Sequence, residues 1–123
     1  MRFSLDTPPG ISISACSDAG VEIAGTLYRS SILVLPDEVR EWRCPDIHSL
    51  DAETLAPAVD HRPDILLLGS GRALAFPDAA LTRRLGHRGI GLEVMDTAAA
   101  CRTFNILTGE GRHVVAALVI DTP

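Results

Sequence analysis

Lysine is absent from the sequence, whose eleven basic residues are all arginine, and aromatic side chains make up only 4% of it. Because aromatic residues are scarce, the core of the protein must be built mainly from aliphatic side chains. Acidic residues outnumber basic ones, and the formal net charge is −5. An acidic chain gains no overall attraction to phosphate backbones, so the sequence does not predict a nucleic-acid-binding protein.

Paired cysteines, targeting segments and long apolar runs are also missing. The three cysteines, Cys16, Cys44 and Cys101, form no Cys-x-x-Cys pair, and no two histidines have metal-binding spacing. The sequence therefore predicts no disulfide framework, no metal and no cofactor. The longest apolar run covers 114–120, whereas a membrane span needs about 20 residues. With no apolar segment near Met1, we expect a cytoplasmic protein that does not insert into a membrane.

The length and apolar content predict one folded domain. The chain has 123 residues, of which 46% are hydrophobic, enough for one buried core and too many for a disordered chain. Pro8, Pro9 and Gly10 resist regular structure, so residues 1–10 are expected to form a loose lead-in. We therefore expect a single α/β domain over residues 1–123.

Periodicity predicts strands that alternate with helices. Alternating apolar residues over 11–15 and 21–28 predict an N-terminal β-hairpin. Four continuous apolar runs are expected to be neighbouring strands of one sheet, and they cover 32–35, 65–69, 91–95 and 113–120. Between these runs, a further short strand is expected over 39–42. Helices with one apolar face are expected over 51–59, 79–88 and 97–107. This order predicts a three-layer α/β fold with a mixed central sheet flanked by helices.

The capping residues of these helices can also be assigned. Either Ser49 or Asp51 can begin the first helix, and Pro57 indicates that it is short. Asp78 is expected to cap the second, which Gly89 ends. The outer side of this second helix carries three arginines and His87, which indicates either a solvated face or a docking surface for an acidic partner.

A glycine pair, Gly69 and Gly71 with Ser70 between them, follows a buried strand. Ligands bind at the carboxyl ends of strands in open α/β sheets, and exposed amides there can hold an anion. However, Leu74 stands where a dinucleotide site has its third glycine, and residues 72–77 separate the glycines from the next helix. A tight turn is therefore the favoured interpretation, with an anion site as the alternative.

The helix over 97–107 carries the other candidate residues. Asp96 and Thr97 stand where helix amides need a cap, whereas Thr103 and Asn105 are poor choices inside a helix. We expect Asp96 and Thr97 to cap the helix beside the glycine turn, and Asn105, Glu110 and Arg112 to fix the turn into the last strand. The candidate ligand or partner face consists of Gly69, Ser70, Gly71, Asp96, Thr97, Thr103, Asn105, Glu110 and Arg112.

Cys101 lies among alanines in the same helix, which favours a buried structural thiol over a nucleophile. We expect it to react slowly with thiol reagents in the native protein. An activated thiolate beside Arg102 is the alternative.

Four segments together resemble one family of small domains: 64–71, 93–97, 100–107 and 110–112, with Trp42 before them. This family contains uncharacterised bacterial and archaeal proteins, the mitochondrial complex I assembly factor three and the adipogenesis-associated Mth-domain protein. The resemblance covers about residues 11–120. It implies a mixed sheet whose last strand runs antiparallel to the others, no established enzymatic activity, and, for the mitochondrial relative, help in assembling NADH:ubiquinone oxidoreductase through protein contacts.

Two functional hypotheses follow. The first is a non-enzymatic adaptor or assembly factor with a protein partner, in respiratory or membrane complex assembly. The second is a small-molecule or anion-binding domain, including an enzyme, that uses the turn at Gly69–Gly71 and the helix start at Asp96 and Thr97. A deep pocket between the turn and Thr97 would favour the second hypothesis, and a filled or flat site the first.

Overall fold

The computed structural model describes residues 10–43 and 47–121. Most of the expected N-terminal lead-in and also Cys44 lie outside this range. The described elements run in the order β1 Ile13–Ser17, β2 Gly20–Ile23, β3 Thr26–Tyr28, β4 Ile32–Val34, β5 Val39–Glu41, α1 Ala56–Val59, β6 Ile65–Gly69, α2 Ala79–His87, β7 Gly91–Met95, α3 Thr97–Gly109 and β8 Val114–Leu118, with a 3₁₀ turn at Ile47–Ser49.

The N-terminal strands form a separate antiparallel sheet in the order β1-β2-β3. The predicted hairpin is confirmed, but the segment 21–28 forms two strands rather than one. Ala24 (φ 51°) and Gly25 (φ 83°) both take positive φ values, which turn the chain back on itself between β2 and β3. The register pairs Val21 with Tyr28 and Ile23 with Thr26.

The main sheet has five strands in the order β5-β4-β8-β6-β7. The four apolar runs that the sequence predicted as neighbours are therefore confirmed as β4, β8, β6 and β7. The implied direction of the last strand is wrong, because β8 runs parallel to β6 and it is β4 that runs antiparallel to β8. The helical crossover α3 explains this direction, since a crossover returns the chain to the end of the sheet from which it started.

Alternate residues of the main sheet face two different hydrophobic cores, which makes the fold three-layered. Leu66 and Leu68 of β6 face α1 and α2, and they belong to the same core as Leu81 and Leu85 of α2. Leu67, on the opposite face, packs with a second set of side chains from α3 and the N-terminal sheet, namely Ile13, Val21, Ile23, Ala100, Cys101 and Phe104. The N-terminal sheet and α3 thus form one layer together.

The helices differ from their predictions mostly at their ends. Helix α2 is capped as expected, since the Asp78 carboxylate accepts a hydrogen bond from the Ala80 amide at 2.9 Å. Helix α1 is only one turn long and begins after Leu55, without a side-chain cap. Asp51 instead closes a separate turn by accepting from the Thr54 amide at 2.9 Å. The predicted helix over 51–59 was wrong because proline fits only the first turn of a helix, so Pro57 marks its start and not its end.

Candidate functional site

The hydroxyl of Thr97 connects three elements at the carboxyl end of the main sheet. Its Oγ1 accepts a hydrogen bond from the Gly71 amide at 2.8 Å and donates one to the Val119 carbonyl at 2.6 Å. The Thr97 amide also donates to the Gly71 carbonyl at 2.9 Å. Thr97 is buried, so these bonds are shielded from water. One side chain therefore joins the ends of β6 and β8 to the first residue of α3.

Close packing against this threonine explains the glycine pair. A Cβ on Gly69 would lie 2.9 Å from Thr97 Oγ1 and 3.0 Å from Leu118 Cδ2. Gly71 has φ +103°, and a Cβ there would meet the carboxylate of Asp121. Both positions thus require glycine for a tight turn, which is the interpretation that the sequence favoured.

The amides of the glycine turn donate to groups of the protein itself. The Ser70 amide donates to the Met95 carbonyl at 2.9 Å, and the Arg72 amide donates to Asp121 Oδ2 at 3.3 Å. The Gly71 amide is bound to Thr97, as described above. A phosphate-binding turn holds its ligand with such amides. Because all three already donate within the chain, the turn does not present them to an anion.

Asp96 caps α3 as the sequence predicted, but the same prediction for Thr97 is wrong, because Thr97 is the first residue of the helix and its hydroxyl bonds to Gly71 and Val119 instead. Its Oδ1 accepts a hydrogen bond from the Ala99 amide at 2.8 Å, and its backbone is extended, as is usual at a helix N-cap. The carboxylate also lies near the positive end of the helix dipole, which stabilises its charge. Asp96 therefore has a structural role that is independent of any ligand.

Replacing Asp96 by alanine should lower the free energy of unfolding by about 1 kcal/mol, because the Ala99 amide loses its acceptor. Thermal or urea unfolding of purified protein measures this change. Asp96→Asn is the matched control, since its amide oxygen can still accept the bond. An Asp96→Ala variant of unchanged stability that has lost binding to a partner or ligand would contradict the structural role.

A cavity of about 320 Å³ opens beside this junction, between the N-terminal sheet and the start of α3. The following residues line it: Cys16, Ser17, Asp18, Gly20, Val21, Gly71, Arg72, Asp96, Thr97, Ala98, Val119, Ile120 and Asp121. Three of these are aspartates and one is an arginine, whose Nε lies 3.8 Å from Asp18 Oδ1. The excess of carboxylates favours a cationic or neutral ligand over an anion.

The candidate residues separate into two places. Gly71, Asp96 and Thr97 line the cavity, whereas Ser70 is buried beside it and folds the following loop. Ser70 Oγ donates to the Ala73 carbonyl at 2.7 Å and accepts from the Ala75 amide at 3.1 Å. Gly69 ends β6 in close contact with Thr97. The other four candidates belong to the middle and far end of α3 or to the residues that follow it, and they are Thr103, Asn105, Glu110 and Arg112.

Asn105 binds β1 and not the turn into the last strand, so its predicted role is wrong. Its Oδ1 accepts from the Ile13 amide and its Nδ2 donates to the Ile13 carbonyl, both at 2.8 Å. An amide side chain suits this position because it offers both an acceptor and a donor to one residue of an edge strand. Glu110 and Arg112 are exposed, and their backbone amides bond to the last turn of α3. Thr103 is half-buried.

Cys101 is 4% exposed and faces β1, which confirms that it is largely buried. Burial and, to a smaller extent, the neighbouring Cys16 side chain together raise the pKa of its thiol to about 12. Sequence reasoning did not identify Cys16, Asp18, Arg72 or Asp121 as parts of the same site. These residues come from three distant parts of the chain and match no motif, so only the folded topology brings them together.

Neither a metal centre nor a membrane span is found among residues 10–43 and 47–121. No three or more His, Cys, Asp or Glu side chains in this part of the chain are arranged to hold a metal ion. None of its helices has the length and apolar character needed to cross a membrane.

The fold and the junction define a class of small three-layer α/β domains, in which an N-terminal antiparallel sheet packs beside the last helix of a mixed five-stranded sheet. The sequence model of a family described as "Protein of unknown function (DUF498/DUF598)" matches residues 13–119. The chain belongs to this family.

Three similar proteins illustrate what the family contains. A crystal structure from Bordetella parapertussis superimposes with a TM-score of 0.86 at 33% identity, covering 94% of this chain and 99% of that one. An uncharacterized protein of Rhodobacter capsulatus is 33% identical over 79% of this chain and 74% of its own length. The Xenopus tropicalis protein named NADH dehydrogenase [ubiquinone] 1 alpha subcomplex assembly factor 3 is 29% identical over 96% of this chain, which spans 66% of that relative's length.

Proposed function

We propose that this protein is a non-enzymatic, cytoplasmic adaptor that assists assembly of a respiratory complex by binding a protein partner. The observation that carries this proposal is the similarity, over 96% of the chain, to a protein whose name describes complex I assembly. The described residues offer a surface that fits such a role, on the loop between β6 and α2.

This loop exposes two large apolar side chains, Leu74 (55% exposed) and Phe76 (58%). The backbone of this loop is held in place, because Ser70 bonds to it at Ala73 and Ala75, and the Ala75 side chain packs against the hydrophobic core. An apolar side chain held outward by a fixed backbone loses little conformational entropy when a partner covers it. Aromatic side chains such as Phe76 are enriched at the cores of protein–protein interfaces.

Gene deletion followed by complementation tests the proposal. Deletion in the host should reduce assembled NADH:ubiquinone oxidoreductase, measured on native gels, and the unaltered gene should restore it. We expect Leu74→Ser/Phe76→Ser to fail while its thermal midpoint stays unchanged, because both side chains are exposed. Leu27→Ser/Ile106→Ser is the matched control, since it removes exposed apolar side chains from β3 and α3. Normal complex levels in the deletion strain would contradict the assembly role.

The cavity supports a second candidate function, the binding of a small cationic or neutral molecule. Its volume of about 320 Å³ falls at the lower end of the range for ligand sites. Ala98 lines the cavity, and its side chain is exposed, so Ala98→Leu should fill part of the space without disturbing the core. If the Ala98→Leu gene failed to complement the deletion and the Leu74→Ser/Phe76→Ser gene complemented it, ligand binding would replace the adaptor role as the proposed function.

A further inference from the structure

Two thiols that are 85 positions apart in the sequence meet between β1 and α3. Cys16 is on β1 and Cys101 is on α3, and the Cys16 side chain lies close enough to raise the pKa of the Cys101 thiol. Both line a pocket of about 300 Å³ that lies between the two elements. The bonds of Asn105 to both backbone groups of Ile13 hold β1 against α3 next to this pair. The contact is therefore fixed by the fold and not by chance proximity of mobile segments.

The surroundings of the two thiols differ. Cys16 is half-buried and also lines the 320 Å³ cavity, so a small solute that enters the cavity meets this residue. Cys101 is almost fully buried, and burial raises the pKa of its thiol to about 12, so it remains protonated at neutral pH. A thiol reacts with oxidants as its thiolate and only where the oxidant has access. The difference in burial thus indicates that the Cys16 sulfur reacts first and that the Cys101 sulfur reacts second.

We propose that Cys16 is a site of reversible oxidation by hydroperoxides and that Cys101 is the second thiol, which converts the oxidised Cys16 into an intramolecular disulfide. This role goes beyond the adaptor function and does not depend on it. The two sulfurs belong to two different structural layers, so the covalent bond would link the N-terminal sheet directly to α3.

The chemistry takes place in two steps. The Cys16 thiolate attacks one oxygen of hydrogen peroxide, an S–O bond forms and the O–O bond breaks, and the released hydroxide takes a proton to become water. Two electrons pass from Cys16 to the peroxide, which leaves a sulfenic acid. Cys101 Sγ then attacks the Cys16 sulfur, an S–S bond forms and the S–O bond breaks, and the Cys101 proton leaves with the hydroxyl group as a second water.

Oxidation of purified protein tests this assignment, in a Cys44→Ser background that removes the third cysteine. After hydrogen peroxide treatment, intact-mass spectrometry should show the loss of two hydrogens, reversed by dithiothreitol. Cys101→Ser should instead gain one oxygen, which dimedone traps at Cys16. Cys16→Ser and Cys16→Ala should show neither change. The thermal midpoint of the oxidised background protein should rise by several degrees, because the bond closes a loop of 85 residues.

Three results would overturn the proposal. Uptake of two or three oxygens by the background protein without loss of hydrogens would show that Cys101 does not react with the oxidised Cys16. Dimedone labelling of Cys101 in the Cys16→Ala variant, at the rate seen for Cys16, would reverse the order of the two thiols. A disulfide between two chains, seen as a dimer on a non-reducing gel, would replace the intramolecular bond.

Discussion

Replacing Thr97 by valine is expected to lower the free energy of unfolding by about 3 kcal/mol, although the two side chains have nearly the same shape. Valine lacks the hydroxyl that binds the Gly71 amide and the Val119 carbonyl, so it leaves a buried donor and a buried acceptor without partners. A buried polar group without a partner costs about 1–3 kcal/mol. Chemical denaturation with a two-state fit measures this change.

Thr97→Ser is the matched control, because it keeps the hydroxyl and removes only a methyl group. We expect serine to cost about 1 kcal/mol, roughly the value of one buried methyl group. Equal losses for Val and Ser would mean that the methyl group, and not the hydrogen bonds, stabilises the junction. A serine variant that is more stable than the valine variant is therefore the result that supports the role of Thr97.

The second large effect is expected for Asn105→Ala, which removes both hydrogen bonds to Ile13. The two backbone groups are partly buried, so we expect a loss of about 2 kcal/mol in the free energy of unfolding. The loss should be uneven across the molecule, because these bonds tie β1 to α3. Hydrogen exchange followed by mass spectrometry should show faster exchange in β1, with little change in β6 and β8.

Asn105→Asp distinguishes the contributions of the two hydrogen bonds, because it keeps one and removes the other. Its carboxylate can still accept from the Ile13 amide but cannot donate to the Ile13 carbonyl. We expect this variant to be less stable than the wild type and to show the same faster exchange of β1. If Asn105→Ala left the exchange of β1 unchanged, packing of Ile13, Val21 and Ile23 alone would account for the attachment of the N-terminal sheet.

The strands of the main sheet could be predicted because their physical signal is local. A strand buried on both faces is a continuous apolar run, and β4, β6 and β8 each form one. Caps are equally local, since Asp78 and Asp96 act on amides two and three residues away. The direction of β8 was missed because the family resemblance implied an antiparallel last strand, although the helix that precedes β8 favours a crossover and therefore a strand parallel to β6.

The site could be predicted only in part. The sequence identified Gly71, Asp96 and Thr97, which stand at strand ends or at a helix start. It could not identify Asp18 or Asp121, since these reach the cavity only after the two sheets and α3 have assembled. Asn105 was recognised as unusual in a helix, but its partner Ile13 is 92 residues away and no local rule indicates that pairing.

The position of β8 at the centre of the main sheet affects the order in which the protein can fold during synthesis. This strand pairs with β4 on one side and with β6 on the other, and it is the last described strand to leave the ribosome. Until β8 emerges, β4-β5 and β6-β7 remain two separate pairs, and β4 and β6 each present an unpaired apolar edge. Such edges bind other chains readily. A nascent chain of this protein is thus most prone to aggregation just before β8 emerges, and we expect it to depend on chaperones most at that stage.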